Sequence, residues 1–251
     1  MKVIAVNGIT KSGKTTVCEA LISGLTARGF TVGSVKEIHF ELFKMDTDGK
    51  NTQRHRNAGA SLVTARGLYE TDVLYPCKLP ITRILSHYNQ DFVVLEGVTD
   101  ANVARIVTAH TQQDALDSID ARTIAVSGQL ANTGIREVCG LPVINALTEP
   151  ERLLALVLEK AFVPLPDFDP KCCSLCGHSC RELAGLIAAW EANANACVLN
   201  AQDVELAVNG RQITMVPFVQ RLLKNAVMAI VSELDGADKN AQIVVTIKDE
   251  R

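Results

Sequence analysis

One short glycine-containing segment near the amino terminus constrains this chain more than any other feature. The sequence GITKSGKT, residues 8–15, has two glycines around four residues and ends in Lys14 and Thr15. A run typical of a β-strand at 2–6 precedes it, and apolar residues at helical spacing over 16–28 follow it. Glycines let backbone amides turn toward a phosphate, the lysine reaches the β and γ oxygens, and the hydroxyl binds magnesium. The segment therefore predicts a phosphate-binding loop between a strand and a helix.

Most of this loop is predicted to contact a nucleoside triphosphate. The predicted contacts are Gly8, Thr10, Lys11, Ser12, Gly13, Lys14, Thr15 and Thr16. Lys14 and Mg²⁺ would neutralise the charge that develops when water attacks the γ-phosphate in line. Because no general base or arginine finger stands out in the sequence, we expect hydrolysis to be slow. The loop suits GTP or ATP, and the chain has no Asn-Lys-x-Asp sequence that would select guanine.

An acidic partner for the magnesium ion is expected at the end of a neighbouring strand. Glu96 directly follows the apolar run at 92–95, and we predict that it holds Mg²⁺ together with Thr15. The predicted catalytic residues are Lys14, Thr15 and Glu96. Asp46, on the polar loop after the second strand, is a further magnesium candidate, as is Asp48. At each of these positions the alternative is a carboxylate that only faces solvent.

The order of apolar runs predicts an α/β fold. Strand-like runs lie at 31–35, 92–95, 105–107, 123–127 and 142–145, and polar or helical stretches separate them. Strands that alternate with helices form a mostly parallel sheet covered on both faces. We therefore predict a P-loop NTPase domain over 1–162, with a closing helix at 149–162.

The rest of the chain is predicted to form a second, small α+β domain. Residues 163–171 contain three prolines and predict a linker. In the cysteine-rich part, 172–251, Asn209 and Gly210 predict the turn of a β-hairpin over 204–215. A helix over 217–234 and a strand over 242–247 should follow.

A cluster of cysteines opens this second domain. The chain has eight cysteines, and Cys173, Cys176, Cys180 and Cys197 are spaced like the ligands of a metal centre. Their sequence is similar to small iron–sulfur modules, which favours a [4Fe–4S] cluster, with zinc or free thiols as alternatives. Cys172 could replace Cys173. The other three, Cys18, Cys77 and Cys139, are interpreted as structural, and those at 18 and 139 lie in apolar contexts typical of core residues.

Composition gives no reason to expect nucleic acid or a membrane as a partner. The net charge is −3 and the isoelectric point is near 6.0. No apolar run approaches the ~20 residues of a membrane span. The amino terminus lacks a signal-peptide pattern. We therefore expect a cytoplasmic protein.

Four segments are informative in combination: GITKSGKTT, VKEIHF, DTDGKNTQRHRNAGA and VVLEG. Together they resemble the molybdopterin-guanine dinucleotide biosynthesis protein B (MobB) family, and the resemblance covers residues 1 to about 160. It implies a homodimeric GTP-binding accessory protein that assists the enzyme attaching GMP to molybdopterin. The sequence departs from the family pattern at a histidine-rich strand end, reduced here to Glu37 and His39, and at Asn51, where an aspartate is usual.

The basic segment after the second strand is a candidate anion site. Arg54, His55 and Arg56 concentrate cationic and hydrogen-bonding groups suited to a phosphate or a pterin phosphate. The residues alone favour a solvated basic helix start, whereas the family resemblance favours the anion-binding interpretation. Ser127 and Gly128, after the strand at 123–127, are candidates for the loop that contacts the base.

Three hypotheses for the function follow. The first is a GTPase or adapter in molybdenum or tungsten cofactor maturation, with molybdopterin and the guanylyltransferase as partners. The second is an NTPase that uses the cysteine segment to mature a metallocentre in a client metalloenzyme. The third is a nucleotide-dependent scaffold in which the cysteines hold structural zinc.

Overall fold

The computed structural model describes residues 1–40, 51–167, 173, 175–197, 204, 206–208, 211–213, 215, 217–234 and 243–245. The chain divides into two compact units, Met1–Ala196 and Cys197–Arg251. No helix in the described part of the chain combines the length and the hydropathy that a membrane span requires.

A five-stranded parallel sheet is the centre of the first unit. Its strands are β1 (Lys2–Gly8), β2 (Val32–Lys36), β5 (Phe92–Glu96), β6 (Ala104–Thr108) and β7 (Thr123–Ser127), in the order β2-β5-β1-β6-β7. All neighbouring pairs run parallel, so the carboxyl ends of the strands share one edge. The inner strands β1, β5 and β6 are mostly apolar and buried, as expected for a parallel sheet with helices on both faces. The predicted mostly parallel α/β fold is confirmed.

Helices and short hairpins connect these strands. The helices are α1 (Lys14–Ala27), α2 (Asn51–Asn57), α3 (Ile81–Leu85), α4 (Gln112–Ser118), α5 (Pro150–Lys160) and α6 (Cys180–Ala188), with 3-10 helices at Gly128–Thr133 and Ala194–Ala196. The hairpins pair β3 (Val63–Arg66) with β4 (Thr71–Leu74), and β8 (Glu137–Val138) with β9 (Leu141–Pro142).

Helix α1 packs closely on α5. It buries Leu21 and Leu25, and a Cβ at Gly24 would lie 2.7 Å from a methyl carbon of Leu154. The glycine therefore lets the two helices approach each other. This packing fixes α1, and with it the segment that precedes the helix, against the sheet.

The strand predicted at 142–145 is shorter than expected. Only Leu141 and Pro142 form β9, and Val143 makes a single parallel bridge to Val126 in β7. Proline has no amide hydrogen and cannot donate to a sheet ladder, so it limits the pairing of this segment.

The first unit extends beyond the predicted linker at 163–171. Leu165, within that linker, is buried and pairs with Asn102, whose side-chain amide donates to Pro166 O at 3.2 Å. Helix α6 also packs on this unit, since Lys160 Nζ donates to Ala188 O at 2.7 Å. A Cβ at Gly185 in α6 would lie only 2.7 Å from Ala121 Cβ. The helix that begins at Cys180 is thus part of the first compact unit.

The second unit contains a hairpin and a helix. Strands β10 (Leu206–Val208) and β11 (Arg211–Ile213) are antiparallel, and α7 spans Pro217–Val231. The predicted hairpin and helix are present, while the turn at Asn209 and Gly210 lies outside the described residues. Within the strand predicted over 242–247, the described residues 243–245 form no strand.

Candidate nucleotide-binding site

The candidate site lies at the carboxyl edge of the sheet, where β1 passes through residues 9–13 into α1. Gly13 is the N-cap of α1 and has a left-handed backbone, with φ 103°. The helix begins at Lys14, two residues earlier than predicted, so both Lys14 and Thr15 belong to its first turn. The free amides and the dipole at the amino end of this 14-residue helix favour an anion at this position.

Two glycines allow the loop to lie directly on the backbone of neighbouring segments. Gly8 has φ 153°, and a Cβ there would lie 2.0 Å from Thr108 O at the end of β6. Gly128 has φ 81°, and a Cβ there would lie 2.1 Å from Ser12 O. Neither position has room for a side chain. The loop is therefore clamped between the ends of β6 and β7.

Ser12 forms the buried inner side of the loop. Its side chain is fully buried, and its hydroxyl donates to Ile9 O at 2.8 Å and lies 2.7 Å from the hydroxyl of Thr108. These bonds stabilise the loop from within. The backbone amide of Ser12 also donates to Ile9 O, at 3.4 Å, so both the hydroxyl and the amide of this residue are engaged in the fold of the loop.

Lys14 folds back over the loop. Its Nζ donates to Gly8 O at 2.9 Å and to Ile9 O at 2.6 Å. Burial lowers the pKa of Lys14, and the nearby Glu96 carboxylate opposes that shift. The ammonium group thus lies above the loop amides, where it can meet the phosphate oxygens of a bound nucleotide.

Thr15 and Glu96 meet at the mouth of the loop. The hydroxyl of Thr15 donates to Glu96 Oε1 at 2.7 Å, and Lys36 Nζ lies 3.0 Å from the same oxygen. Hydroxyl and carboxylate oxygens are ligands that suit Mg²⁺. The structure therefore brings together the two residues predicted to hold the metal. Asp46 and Asp48, the other magnesium candidates, lie outside the described residues.

The residues that replace the histidine-rich strand end lie beside Glu96. Glu37 follows β2, its amide donates to Glu96 O, and its carboxylate forms an ion pair with Lys78. A Cβ at Gly97 would lie 3.5 Å from Glu37 Cβ and 3.7 Å from His39 Nε2. Glu37 and His39 thus border the magnesium candidate.

Two functional candidates, His110 and Gln129, were not identified from the sequence. His110 Nε2 lies 3.0 Å from Thr10 O, and its Nδ1 lies 3.0 Å from Gln129 Oε1. Gln129 donates from its side-chain amide to Lys11 O at 2.8 Å and from its backbone amide to Ser12 O at 3.0 Å. Both residues come two positions after a buried strand. Ligands bind at the carboxyl ends of parallel strands, so a polar residue at such a strand end could have marked these two positions in the sequence.

The remaining site candidates have different surroundings. Arg54, His55 and Arg56 lie on α2, where Arg54 and His55 are exposed. Ser127 is buried, and its hydroxyl donates to Ile144 O at 2.6 Å, so this side chain supports the fold. Gly128 packs against the backbone of Ser12, so it also supports the fold of the loop.

The cysteine candidates lie in two units. Cys173, Cys176 and Cys180 belong to the first unit, and Cys197 begins the second. Cys172 lies outside the described residues. Among the residues that the structure describes, no group of three or more histidine, cysteine, aspartate or glutamate side chains is arranged to hold a metal ion.

The isolated cysteines differ in exposure. Cys18 is buried in α1, and burial raises the pKa of its thiol to about 12, so it remains a protonated, unreactive core residue. Cys139 was expected in the core but is exposed, because it lies in the tight turn between β8 and β9 with φ 50°. Cys77 is also exposed.

Comparison with known proteins identifies the family. Residues 3–129 match the family model for molybdopterin guanine dinucleotide synthesis protein B. The putative molybdopterin-guanine dinucleotide biosynthesis adapter protein of Methanocaldococcus jannaschii is 30% identical over 254 residues, which cover 98% of this chain and 97% of that protein. The probable adapter protein of Bacillus subtilis is 26% identical over 148 residues, covering 57% of this chain and 85% of its own length.

Solved structures agree with these matches. The crystal structure of Bacillus subtilis MobB superimposes with a TM-score of 0.54 at 25% identity, covering 64% of this chain and 99% of that chain. The match to the M. jannaschii protein extends through both units, whereas the B. subtilis protein matches little more than half of the chain. From the match over residues 3–129 and the full-length relative, we conclude that this chain belongs to the molybdopterin guanine dinucleotide synthesis protein B family.

Proposed function

We propose that this protein binds GTP with Mg²⁺ and acts as an adapter in the biosynthesis of molybdopterin guanine dinucleotide. The contact between Thr15 and Glu96, beside the first turn of α1, is the observation that supports nucleotide binding most directly. The names of the relatives from M. jannaschii and B. subtilis support the pathway. Those names give no support to the alternative of a metallocentre-maturation chaperone.

The arrangement suits tight binding and slow hydrolysis. Loop amides and Lys14 would hold the β- and γ-phosphates, while Thr15 and Glu96 would hold Mg²⁺. The carboxylate of Glu96 already interacts with Thr15 and Lys36, so it is better placed to bind a cation than to take a proton from water. We therefore propose that the nucleotide state controls docking, with slow turnover of GTP.

The choice of GTP over ATP rests on the family resemblance and needs a direct test. A fluorescent GTP analogue bound to the protein with Mg²⁺ should be displaced by GTP at a concentration at least about ten-fold lower than by ATP, since one or two hydrogen bonds to guanine give that discrimination. Equal displacement by the two nucleotides would show that the site does not select guanine.

The adapter role can be tested by reconstitution. Molybdopterin, GTP and the guanylyltransferase that joins them are incubated with this protein, and the dinucleotide product is measured by chromatography. We expect wild-type protein to increase the product formed and Glu96→Gln to give no increase, because the variant loses the proposed magnesium ligand. An equal yield with and without wild-type protein would contradict the adapter role.

The proposed homodimer and the anion-binding role of Arg54, His55 and Arg56 rest on the same family resemblance.

The [4Fe–4S] cluster is proposed on the spacing of Cys173, Cys176, Cys180 and Cys197 and on the similarity of this segment to small iron–sulfur modules. The residues that the structure describes contain no group of side chains arranged to hold a metal, so metal analysis must test this proposal. Protein purified without oxygen should contain about four irons per chain and absorb broadly near ~400 nm. Cys176→Ser should lower the iron content, whereas Cys139→Ser, an exposed cysteine far along the chain from the cluster segment, should retain it. A colourless protein with one zinc per chain would show that these cysteines hold a structural zinc ion and not an iron–sulfur cluster.

A further inference from the structure

His110 contacts the phosphate loop through both of its ring nitrogens. It follows β6, and its Nε2 lies 3.0 Å from the carbonyl oxygen of Thr10. Its Nδ1 lies 3.0 Å from Oε1 of Gln129, which follows β7. The imidazole thus connects Thr10 in the phosphate loop to Gln129, which follows β7.

These contacts determine the protonation state of the ring. The carbonyl of Thr10 can only accept a hydrogen bond, so Nε2 must donate to it. The side-chain amide of Gln129 donates from Nε2 to Lys11 O at 2.8 Å, which turns its oxygen toward His110. That oxygen also only accepts, so Nδ1 must donate as well. A ring that donates from both nitrogens is an imidazolium cation.

We propose that His110, as an imidazolium ion bonded to Thr10 and Gln129, is a positioning residue that holds the phosphate loop in its anion-binding conformation. The role rests on the proposed binding of a nucleoside triphosphate. His110 acts through the loop backbone and through Gln129, and its ring has no role in the chemical step.

The backbone geometry explains how this contact orients the loop. Three consecutive carbonyls, those of Thr10, Lys11 and Ser12, accept hydrogen bonds from His110 and Gln129. In a trans peptide the carbonyl and the following N–H point in opposite directions. The amides of Lys11 and Gly13 therefore point away from His110 and Gln129, toward the side on which phosphate oxygens would lie.

The charged groups around His110 are Asp114 and Lys14. Asp114, in the first turn of α4, accepts a 3.3 Å bond from the backbone amide of His110. The pKa of His110 is raised, first by its bond to Thr10 and then by its bond to Gln129; Asp114 adds to the rise, whereas burial and Lys14 oppose it. The contact is therefore complete at low pH, persists above the ordinary pKa of histidine, and is lost as the pH rises through the raised pKa.

Proton NMR on the nucleotide-free protein tests the proposal without depending on nucleotide binding. The His110 ring signal is assigned by its absence in His110→Gln and titrated in wild type, Gln129→Ala and Gln90→Ala. We expect a pKa above the ordinary value of about 6.5 in wild type. Gln129→Ala should lower it, whereas Gln90→Ala, which changes an amide bonded to the neighbouring Asn89, should not. A His110 pKa at or below the ordinary value, or one unaffected by Gln129→Ala, would overturn the proposal.

Nucleotide affinity provides the second readout. The ratio of Mg–GTP affinities of wild type and His110→Gln is measured between about pH 6 and pH 8.5, so that titration of the nucleotide itself cancels. We expect wild type to bind about five-fold tighter at the low end, the effect of one hydrogen bond, and the advantage to disappear at the high end. A constant ratio contradicts the proposal. If neither protein binds nucleotide, the proposed function fails, while the NMR titration still decides the state of His110.

Discussion

The hydroxyl of Thr15 donates a 2.7 Å hydrogen bond to Oε1 of Glu96, which joins the first turn of α1 to the end of β5. The two residues are far apart in sequence and meet because β1 and β5 are parallel neighbours. Each of these oxygens is suited to Mg²⁺. A magnesium ion held by this pair would therefore link metal binding to the position of the phosphate loop.

Thr15→Ala should weaken nucleotide binding only when Mg²⁺ is present. Loss of one metal ligand is expected to lower affinity for Mg–GTP by about ten-fold or more. Binding measured by calorimetry in excess chelator should change little. Thr26→Ala, an exposed threonine on the same helix, is the matched control and should behave as wild type in both conditions. An equal loss of affinity with and without Mg²⁺ would show that Thr15 does not bind the metal.

Gly128→Ala should destabilise the protein far more than Gly134→Ala. Both glycines have nearly the same positive φ, 81° and 84°, so the strain that this φ imposes on an alanine is similar at the two positions. At Gly128 the Cβ would lie 2.1 Å from Ser12 O, whereas at Gly134 nothing lies within 4 Å. We expect about 1 kcal/mol for Gly134→Ala and at least about 3 kcal/mol for Gly128→Ala in urea unfolding. Similar losses in the two variants would show that the loop does not need this close contact.

Asp120→Asn should destabilise the first unit at neutral pH. Asp120 Oδ2 accepts from Arg105 at 2.9 Å and from Arg122 at 2.7 Å, and both guanidinium groups are buried. Removing the carboxylate charge leaves two buried cations without their counterion, at a cost of about 2 to 4 kcal/mol. The free energy of unfolding is measured with urea. Glu149→Gln is the control. It removes a carboxylate that pairs with Arg136 and Arg152, and because both of these arginines are exposed it should have little effect.

The same substitution should alter the response to acid. Burial alone would raise the pKa of Asp120, but the hydrogen bonds and charges of Arg122 and Arg105 outweigh it and hold the pKa below its ordinary value. The stabilisation is therefore full above the ordinary pKa of aspartate, about 4, and is lost as the pH falls through the lower pKa of the folded protein. Wild type and Asp120→Asn should approach equal stability in acid. A constant difference at all pH values would contradict this account.

The sequence was sufficient to predict the strand, loop and helix around residues 8–15 and the parallel sheet behind them. The apolar run at 92–95 became β5 with one further residue at its end, and the run at 123–127 became β7 with the same bounds. These features depend on local periodicity and on glycine positions, which a single sequence records. The hairpin of β3 and β4 was not predicted, because its strands have four residues each and their side chains are mostly exposed.

The contacts of His110 and Gln129 could not be predicted from the sequence. His110 meets Thr10, 100 positions away, because β6 lies beside β1 in the sheet. No motif marks either residue, and their roles depend on the direction of individual carbonyl groups in the loop. The extent of the first unit was also unexpected, since the prolines after 162 suggested a free linker while Leu165 and α6 pack onto the sheet domain.

Calorimetric titration of GTP with Mg²⁺ into wild type, Lys14→Ala and Lys2→Ala tests the central claim most directly. Lys14 lies over the loop, whereas Lys2 lies at the opposite, amino end of β1 and donates to Leu158 O. We predict binding at one site per chain in wild type and Lys2→Ala. In Lys14→Ala we predict an affinity lower by about 100-fold, because a charged contact to the phosphates is lost. Unchanged affinity in Lys14→Ala would show that residues 8–15 do not bind the nucleotide.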